Sequence, residues 1–442
     1  MSETFDLILK GGTIVNHMGE GQADVAVKDG RIVCIGDLSQ LSAGEEIDVN
    51  GLHVLPGVID TQVHFREPGN EHKEDLASGS KAAVMGGVTA VFEMPNTNPL
   101  TTSVEAIEDK LSRAKNRMWC DHAFYMGATA ENAQALGELE KTPGCCGVKV
   151  FMGASTGNLL VEDDETLELV LSHGKRRVAI HAEDNIRMDE RAHIAESGNV
   201  ADHPVWRDDE TALRATKRAI KLARKTGRRV HILHVTTPDE LEFLSHHKDI
   251  ASVEVTPQHL TLAAPECYEK LGSKAQMNPP IRSARHRDGL WYWLAQGVAD
   301  VIGSDHAPHL LDEKARPYPK SPSGMPGVQT LLPLLLNHHA QGRLSLAHLV
   351  DLTSHSANRL FNLRDKGRLA LGYHGDFTVV DLKKNWTIEN QWLASKCGWS
   401  PFEGMNITGK PIGTFIRGKK VMWEDEHQDT AQGEPIRFQE LI

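Results

Sequence analysis

Hydrophobic positions run along the chain in two styles. From Phe5 to about Val54, short stretches alternate apolar and polar residues and close on glycine turns, as in DLILKGGTIV, ADVAVKDGRIVCIG and EEIDVNGLHVLPG, the period-two signature of half-buried strands. GRLALGYHGDFTVVDL and GKPIGTFIRGKKVMW repeat that style near the other end, so the two ends predict one composite β-sandwich, residues 1–54 with 366–442. Between them lie eight apolar runs: HVLPGVIDTQVHF, VTAVFEMP, DHAFYMGAT, GVKVFMG, RVAIHAE, RVHILHVT, ASVEVTPQHL and ADVIGSDHAPH. They alternate with helix-forming stretches such as TSVEAIEDKLSRAKNR and DETALRATKRAIKLARKTG, whose apolar spacing is near 3.6. Strand–helix units in unbroken succession predict an α/β fold, a (β/α)8 TIM-type barrel over residues 55–365.

Such barrels carry their chemistry where strands end and loops begin. Nearly every run ends in a polar or ionisable residue: His64 and Arg66, Asn96, Lys149, His181, His234, then Asp305 and His309. His64, His181 and His234 converge if the barrel closes, giving imidazoles for a divalent metal such as zinc, with Asp305 adding a hard oxygen. In HILHV the two histidines are offset by three and side chains alternate, so His234, nearer the strand end, faces the mouth rather than His231. Lys149 lies inside an apolar strand, where an ammonium is costly. It is either ion-paired or, with a depressed pKa, a neutral amine that takes up CO2 to become an anionic carbamate bridging metals. A metal lowers the pKa of water to about 7 and polarises a carbonyl; Asp305 then carries the proton to the leaving nitrogen.

Composition narrows the partners. The 442 residues are 40% apolar and 24% charged, enough for a sizeable core, and the net charge of −12 opposes nucleic acid and anionic membranes. A small-molecule substrate is expected. No run approaches the roughly 20 apolar residues of a membrane helix, and the opening MSETFDLILKGG lacks a signal-peptide pattern. The six scattered cysteines, Cys145 and Cys146 included, form no CxxC pair and read as free thiols suited to a reduced cytoplasm.

The motifs PGVIDTQVHFREPG, MPNTNP, KVFMGASTGNLL, IHAED, HILHVTT, MNPPIR, GSDHAPH and MPGVQTLLPLLL resemble, in order and spacing, the cyclic amidohydrolases, and HFREPG followed by HKED is similar to the dihydroorotases among them. The resemblance covers essentially the whole chain. It implies a metal centre of His64, His181, His234, Asp305 and a carbamylated Lys149 holding one or two Zn2+ ions. It also implies a substrate carboxylate held by Arg66, Asn96 and His309, and ring contacts from Asn278 and the Pro326–Gly327 backbone. A guanidinium suits a carboxylate through paired hydrogen bonds.

One position departs from the resemblance. Where the family's first strand reads His-x-His, this chain has Gln62-Val63-His64, and a neutral amide oxygen is a poorer zinc ligand than imidazole. The expectation is either one metal held mainly by His181, His234 and the carbamate, or a weakened second site at Gln62. Reversible interconversion of N-carbamoyl-L-aspartate and dihydroorotate, in pyrimidine synthesis, is the leading activity. Its alternatives are a hydantoinase or dihydropyrimidinase, or a non-catalytic subunit scaffolding aspartate transcarbamoylase. The resemblance also implies a homodimer. TLLPLLLNHHA suits core or interface, and HLLDEKARPYPKSPSGMPG suits a lid or a rim segment.

Overall fold

A computed structural model describes residues 5–154 and 159–439; the STGN stretch of KVFMGASTGNLL lies outside them. The eight barrel strands are β1 (Val58–Val63), β2 (Val88–Glu93), β3 (Asp121–Gly127), β4 (Cys145–Phe151), β5 (Val178–His181), β6 (Val230–Ile232), β7 (Ala251–Val255) and β8 (Val301–Ile302). Each is parallel to the next. The ring is completed just beyond β8, where Val63 bridges His306 and the His64 N–H donates to the His306 carbonyl at 2.7 Å. Every residue of the eight strands is buried. That is why these runs read as nearly continuous apolar sequence, as parallel strands covered on both faces do.

The helices between strands follow from amphipathic spacing and local caps. Helix Asp209–Thr226 begins where the Asp208 carboxylate accepts the Thr211 N–H and stops at Gly227, in the left-handed conformation (φ +71°). Its buried side includes Ala212, Ala215, Ala219, Ile220 and Ala223, neighbours at three- and four-residue spacing. Loss of the Asp208 cap would cost about 1 kcal/mol. Helix Leu331–Ala340 is buried from Leu331 to His338, which places TLLPLLLNHHA in the core.

The chain ends build two further sheets. One has four strands, Arg31–Gly36, Asp24–Lys28, Phe5–Lys10 and Ala43–Asp48 in spatial order. In the seven-stranded sheet, Phe377–Thr387 pairs antiparallel with His53–Pro56, joining the two ends of the sequence. Leu7, Val25, Val27 and Val54 from the first end pack with Phe377, Val379 and Phe415 from the second in one apolar cluster. All six cysteines are free, and Cys120, Cys145, Cys146, Cys267 and Cys397 are buried. No helix among the described residues is long and apolar enough to cross a membrane.

Candidate active site

At the C-terminal mouth of the barrel a cavity of about 350 Å³ is lined by Gln62, His64, Arg66, Asn96, Phe151, His181, His234, Asn278, Asp305, Ala307, Ser323 and Gly324. Nine of these twelve carry polar or charged side chains inside an apolar fold, and that concentration marks a site. Arg66, His234 and Asp305 have positive φ, +65°, +35° and +44°, a conformation costing of order 1–3 kcal/mol for a non-glycine residue and concentrated at functional sites.

The imidazoles are oriented by what lies behind them. His181 Nε2 is 2.8 Å from Glu183 Oε2, and that carboxylate is gripped by Arg207, whose Nε is 3.0 Å from Glu183 Oε1 and whose Nη2 is 2.5 Å from Oε2. Burial opposes ionisation of Glu183, but Arg207 and His181 outweigh it and hold its pKa well below the usual range. As an anion Glu183 accepts the Nε2 proton, which leaves the lone pair on Nδ1 facing His234 Nε2 at 2.9 Å. His64 is fixed in the same manner: its Nδ1 donates to Asn96 Oδ1 at 2.8 Å, leaving Nε2 toward Asp305 Oδ1 at 3.2 Å. Asn96 therefore orients His64. Burial, above all, keeps His64, His181 and His234 below their ordinary pKa, so they are neutral imidazoles at pH 7, the form a metal needs.

The donor set fits a divalent cation. His234 Nδ1, Lys149 Nζ and Gln62 Oε1 are buried without a hydrogen-bond partner, and such orphaned groups are costly unless something binds them. Gln62 Nε2 meanwhile donates to Asp305 Oδ1 at 3.0 Å. Lys149 packs under Phe151, its Nζ 4.2 Å from the ring centre, and burial lowers its pKa to about 7 despite Asp305 and Glu254. It has no ion-pair partner among the described residues, which removes the salt-bridge reading of this lysine. His231 is engaged elsewhere, its Nδ1 2.8 Å from Ser252 Oγ.

On the opposite wall Arg66 is only 5% exposed. Its Nε donates to the Pro308 carbonyl at 3.2 Å and its Nη2 lies 3.2 Å from His309 Nε2, so both contacts are to uncharged groups. Burial lowers its pKa to about 10, still cationic at pH 7. His309 stands behind Arg66, with Lys73 Nζ 3.2 Å from its Nδ1 and the Ser323 carbonyl 3.1 Å from its Nε2. Burial and the charges of Arg66, Lys73 and Lys314 keep it neutral. Gly324 (φ +136°) closes this wall; a Cβ there would lie 2.5 Å from the Ala307 carbonyl oxygen.

Of the expected residues, Lys149, His309, Pro326 and Gly327 are not on the cavity wall: Lys149 packs under Phe151 and His309 behind Arg66. Pro326 and Gly327 line a separate small cavity with His306 and Ser395, because the chain turns beneath His306, whose Nδ1 accepts the Gly327 N–H at 3.0 Å. The stretch HLLDEKARPYPKSPSGMPG supplies Ser323 and Gly324 to the cavity and is tied down by Lys314, whose Nζ donates to the carbonyls of Gln276, Pro322 and Gly324 at 3.0, 2.8 and 2.9 Å. Glu183, Arg207 and Phe151 are additions. Glu183 was signalled by its place two residues after His181, on the same side of the strand; nothing in the sequence marks Arg207.

A second candidate metal-ligating cluster sits away from the mouth, with ligand atoms of Asp121, His374 and Asp376 within 4.8 Å of one another. Asp121 opens β3, at the other end of the barrel, and already holds Arg417 Nη1 at 2.7 Å and Lys366 Nζ at 2.5 Å; Lys366 also pairs with Asp376. Two resident cations match the two carboxylates, so this cluster fastens the barrel to the β-sandwich.

A parallel barrel with imidazoles, a carboxylate and a buried neutral-prone lysine converging at its mouth defines a metal-dependent hydrolase. The chain belongs to the amidohydrolase family, whose profile matches residues 53–421. It is 35% identical over 427 residues to the dihydroorotase of Halobacterium salinarum, covering 94% of this chain and 96% of that one. It is 32% identical over 451 residues to the allantoinase of Deinococcus radiodurans, covering 99% and 100%. The fold matches the L-hydantoinase (dihydropyrimidinase) of Arthrobacter aurescens with a TM-score of 0.92 at 29% identity, over 98% of this chain and 100% of that one. The reaction class is thus metal-dependent hydrolysis of a cyclic amide.

Proposed function

We propose that the protein opens and closes the ring amide of a small cyclic ureide bearing a carboxylate, with dihydroorotate and N-carbamoyl-L-aspartate as the pair that fits. The observation carrying this reading is Arg66: a buried guanidinium on the cavity wall, with neutral neighbours and no described carboxylate paired to it. A buried unpaired charge is costly, and an anionic ligand in paired hydrogen bonds removes that cost.

His64, His181, His234, Asp305 and Lys149 as its carbamate would hold zinc, which when bound supplies an activated water and a polarised carbonyl. Asp305 Oδ1 is occupied by Gln62, which leaves Oδ2 to take a proton from the attacking water and return it to the ring nitrogen as the C–N bond breaks. Cyclisation runs the same transfers backwards. Lys149, fully enclosed and lowered to about 7, is an amine with a substantial neutral fraction at pH 7, which CO2 attack requires. Asn96 serves by aiming His64.

The second reading is a hydantoin or dihydropyrimidine ring without the carboxylate, and it is favoured by the likeness to solved hydantoinases. Arg66→Ala separates the two. For dihydroorotate, kcat/KM is expected to fall about 100-fold or more, while an uncharged ring is expected to change by less than about threefold on the same argument. Robust hydantoin turnover by the wild type, indifferent to Arg66→Ala, would establish the second reading instead.

A further inference from the structure

We propose that the short helix His203–Trp206, with Arg207 at its end, is a two-armed positioning element. His203 sets the amide of Asn278 so that its NH2 faces the ring substrate, and Arg207, through Glu183, sets the metal-facing nitrogen of His181. The ligand arm rests on the ring-amide reading above; the metal arm does not.

The polarity of each group follows from its partners. His203 Nε2 is 3.1 Å from the Met277 carbonyl oxygen. A carbonyl only accepts, so Nε2 carries the proton. The same N–H lies 2.9 Å from the side-chain oxygen of Asn278, and an NH2 in that place would set donor against donor. His203 Nδ1 is then the acceptor for the Tyr318 hydroxyl, 3.2 Å away. Burial and the neighbouring Arg207 lower the His203 pKa to about 3, so this tautomer persists throughout the physiological range. With its oxygen engaged, Asn278 has its NH2 left for the cavity it lines. The wall therefore asks for an acceptor on the ligand, such as a ring carbonyl or a carboxylate oxygen.

Arg207 is one helical turn on, its N–H donating to the His203 carbonyl at 3.0 Å, and residues four apart share a helix face. Besides its paired bonds to Glu183, its Nη2 donates to the Ala154 carbonyl at 2.8 Å. The backbone there is pinned in turn by Arg282, whose Nη1 donates to the Arg207 carbonyl at 2.9 Å. One turn thus reaches both the ligand-reading amide, through His203, and the carboxylate that orients His181, through Arg207.

The test uses the full chain, stripped with chelator and titrated with zinc against a chromophoric chelator, together with steady-state kinetics on dihydroorotate and hydantoin. His203→Phe is expected to raise KM about tenfold, the worth of one well-placed buried hydrogen bond, with zinc affinity within about twofold on the same estimate. His203→Gln, whose NH2 can donate to the Asn278 oxygen, is expected to recover most of that loss. Arg207→Met is expected to weaken zinc about 10- to 100-fold with a smaller change in KM, and Arg207→Lys to fall between. If His203→Phe weakens zinc as much as Arg207→Met does, or leaves KM unchanged, the two-armed assignment is overturned. If the wild type opens neither ring, the ligand arm falls with the substrate reading, while the zinc arm stands or falls on Arg207→Met.

Discussion

At the scale of single residues, the site is a set of neutral groups kept neutral by burial and aimed by hydrogen bonds, and most of its members were legible as polar residues at strand ends. His64, Arg66, Asn96, His181, His234, Asn278 and Asp305 all line one cavity. What the sequence could not supply was the direction in which each group points. Asn96, expected as a substrate contact, lines the cavity and also holds the His64 ring with its oxygen, and Arg207 enters only because the end of helix 203–206 brings it to Glu183. Gln62 is the residue with the most consequence. Its NH2 is spent on Asp305, and its neutral amide oxygen is a poorer metal ligand than an imidazole; the proposed centre therefore holds one zinc firmly per chain. Gln62→His is expected to raise the zinc content toward two by elemental analysis; two tightly held ions in the wild type would contradict that account. His203 gives a test in pH. It is neutral in the folded protein down to about 3, whereas unfolded histidine protonates near 6.5. Between those values the unfolded chain binds more protons, so this residue's contribution lowers stability as pH falls from 6.5 toward 3, by up to about 1.4 kcal/mol per pH unit. Unfolding curves of wild type and His203→Gln are therefore expected to diverge on acidification from pH 6.5 to 4.5, the wild type weakening faster.

At the scale of elements, the eight strands were legible because each is enclosed on both faces and must be apolar throughout, and the long helix Asp209–Thr226 because its face and both caps are written locally. Short elements gave no such signal. His203–Trp206 spans one turn with proline at its start, too few residues for periodicity, and its position is set by partners distant in sequence. The stretch from His309 to Gly327 was ambiguous between lid and rim; Lys314, donating to three carbonyls, makes its inner part a fixed wall. The cluster around Asp121 was not anticipated, since it unites side chains from the barrel and from the C-terminal sandwich. Lys366→Met leaves Asp121 and Asp376 sharing Arg417 alone, and is expected to cost about 3–5 kcal/mol of stability, read as a lowered thermal midpoint. Zinc content is expected to stay at the wild-type value, whereas loss of zinc in Lys366→Met or Asp121→Asn would place the metal at this end of the barrel.

At the scale of the whole molecule, the two chain ends pair so that the sandwich and the barrel share strand contacts, and the mouth is left to the loops that follow β1 to β8. Family membership and the cyclic-amide reaction follow from that arrangement and from the matched residues 53–421. Relatives named for different rings resemble this chain to a similar degree, so likeness over the whole chain does not choose among rings, and the proposed reading rests on the wall that carries Arg66. The central claim, a metal-dependent ring-amide hydrolase centred on the barrel mouth, is tested most directly by turnover. The chain is stripped with chelator, reloaded with zinc, and assayed on dihydroorotate and hydantoin beside Lys149→Ala treated alike. The account predicts no turnover when stripped, recovery on reloading, and silence of Lys149→Ala in both states. Undiminished turnover by the stripped chain, or by reloaded Lys149→Ala, would contradict it.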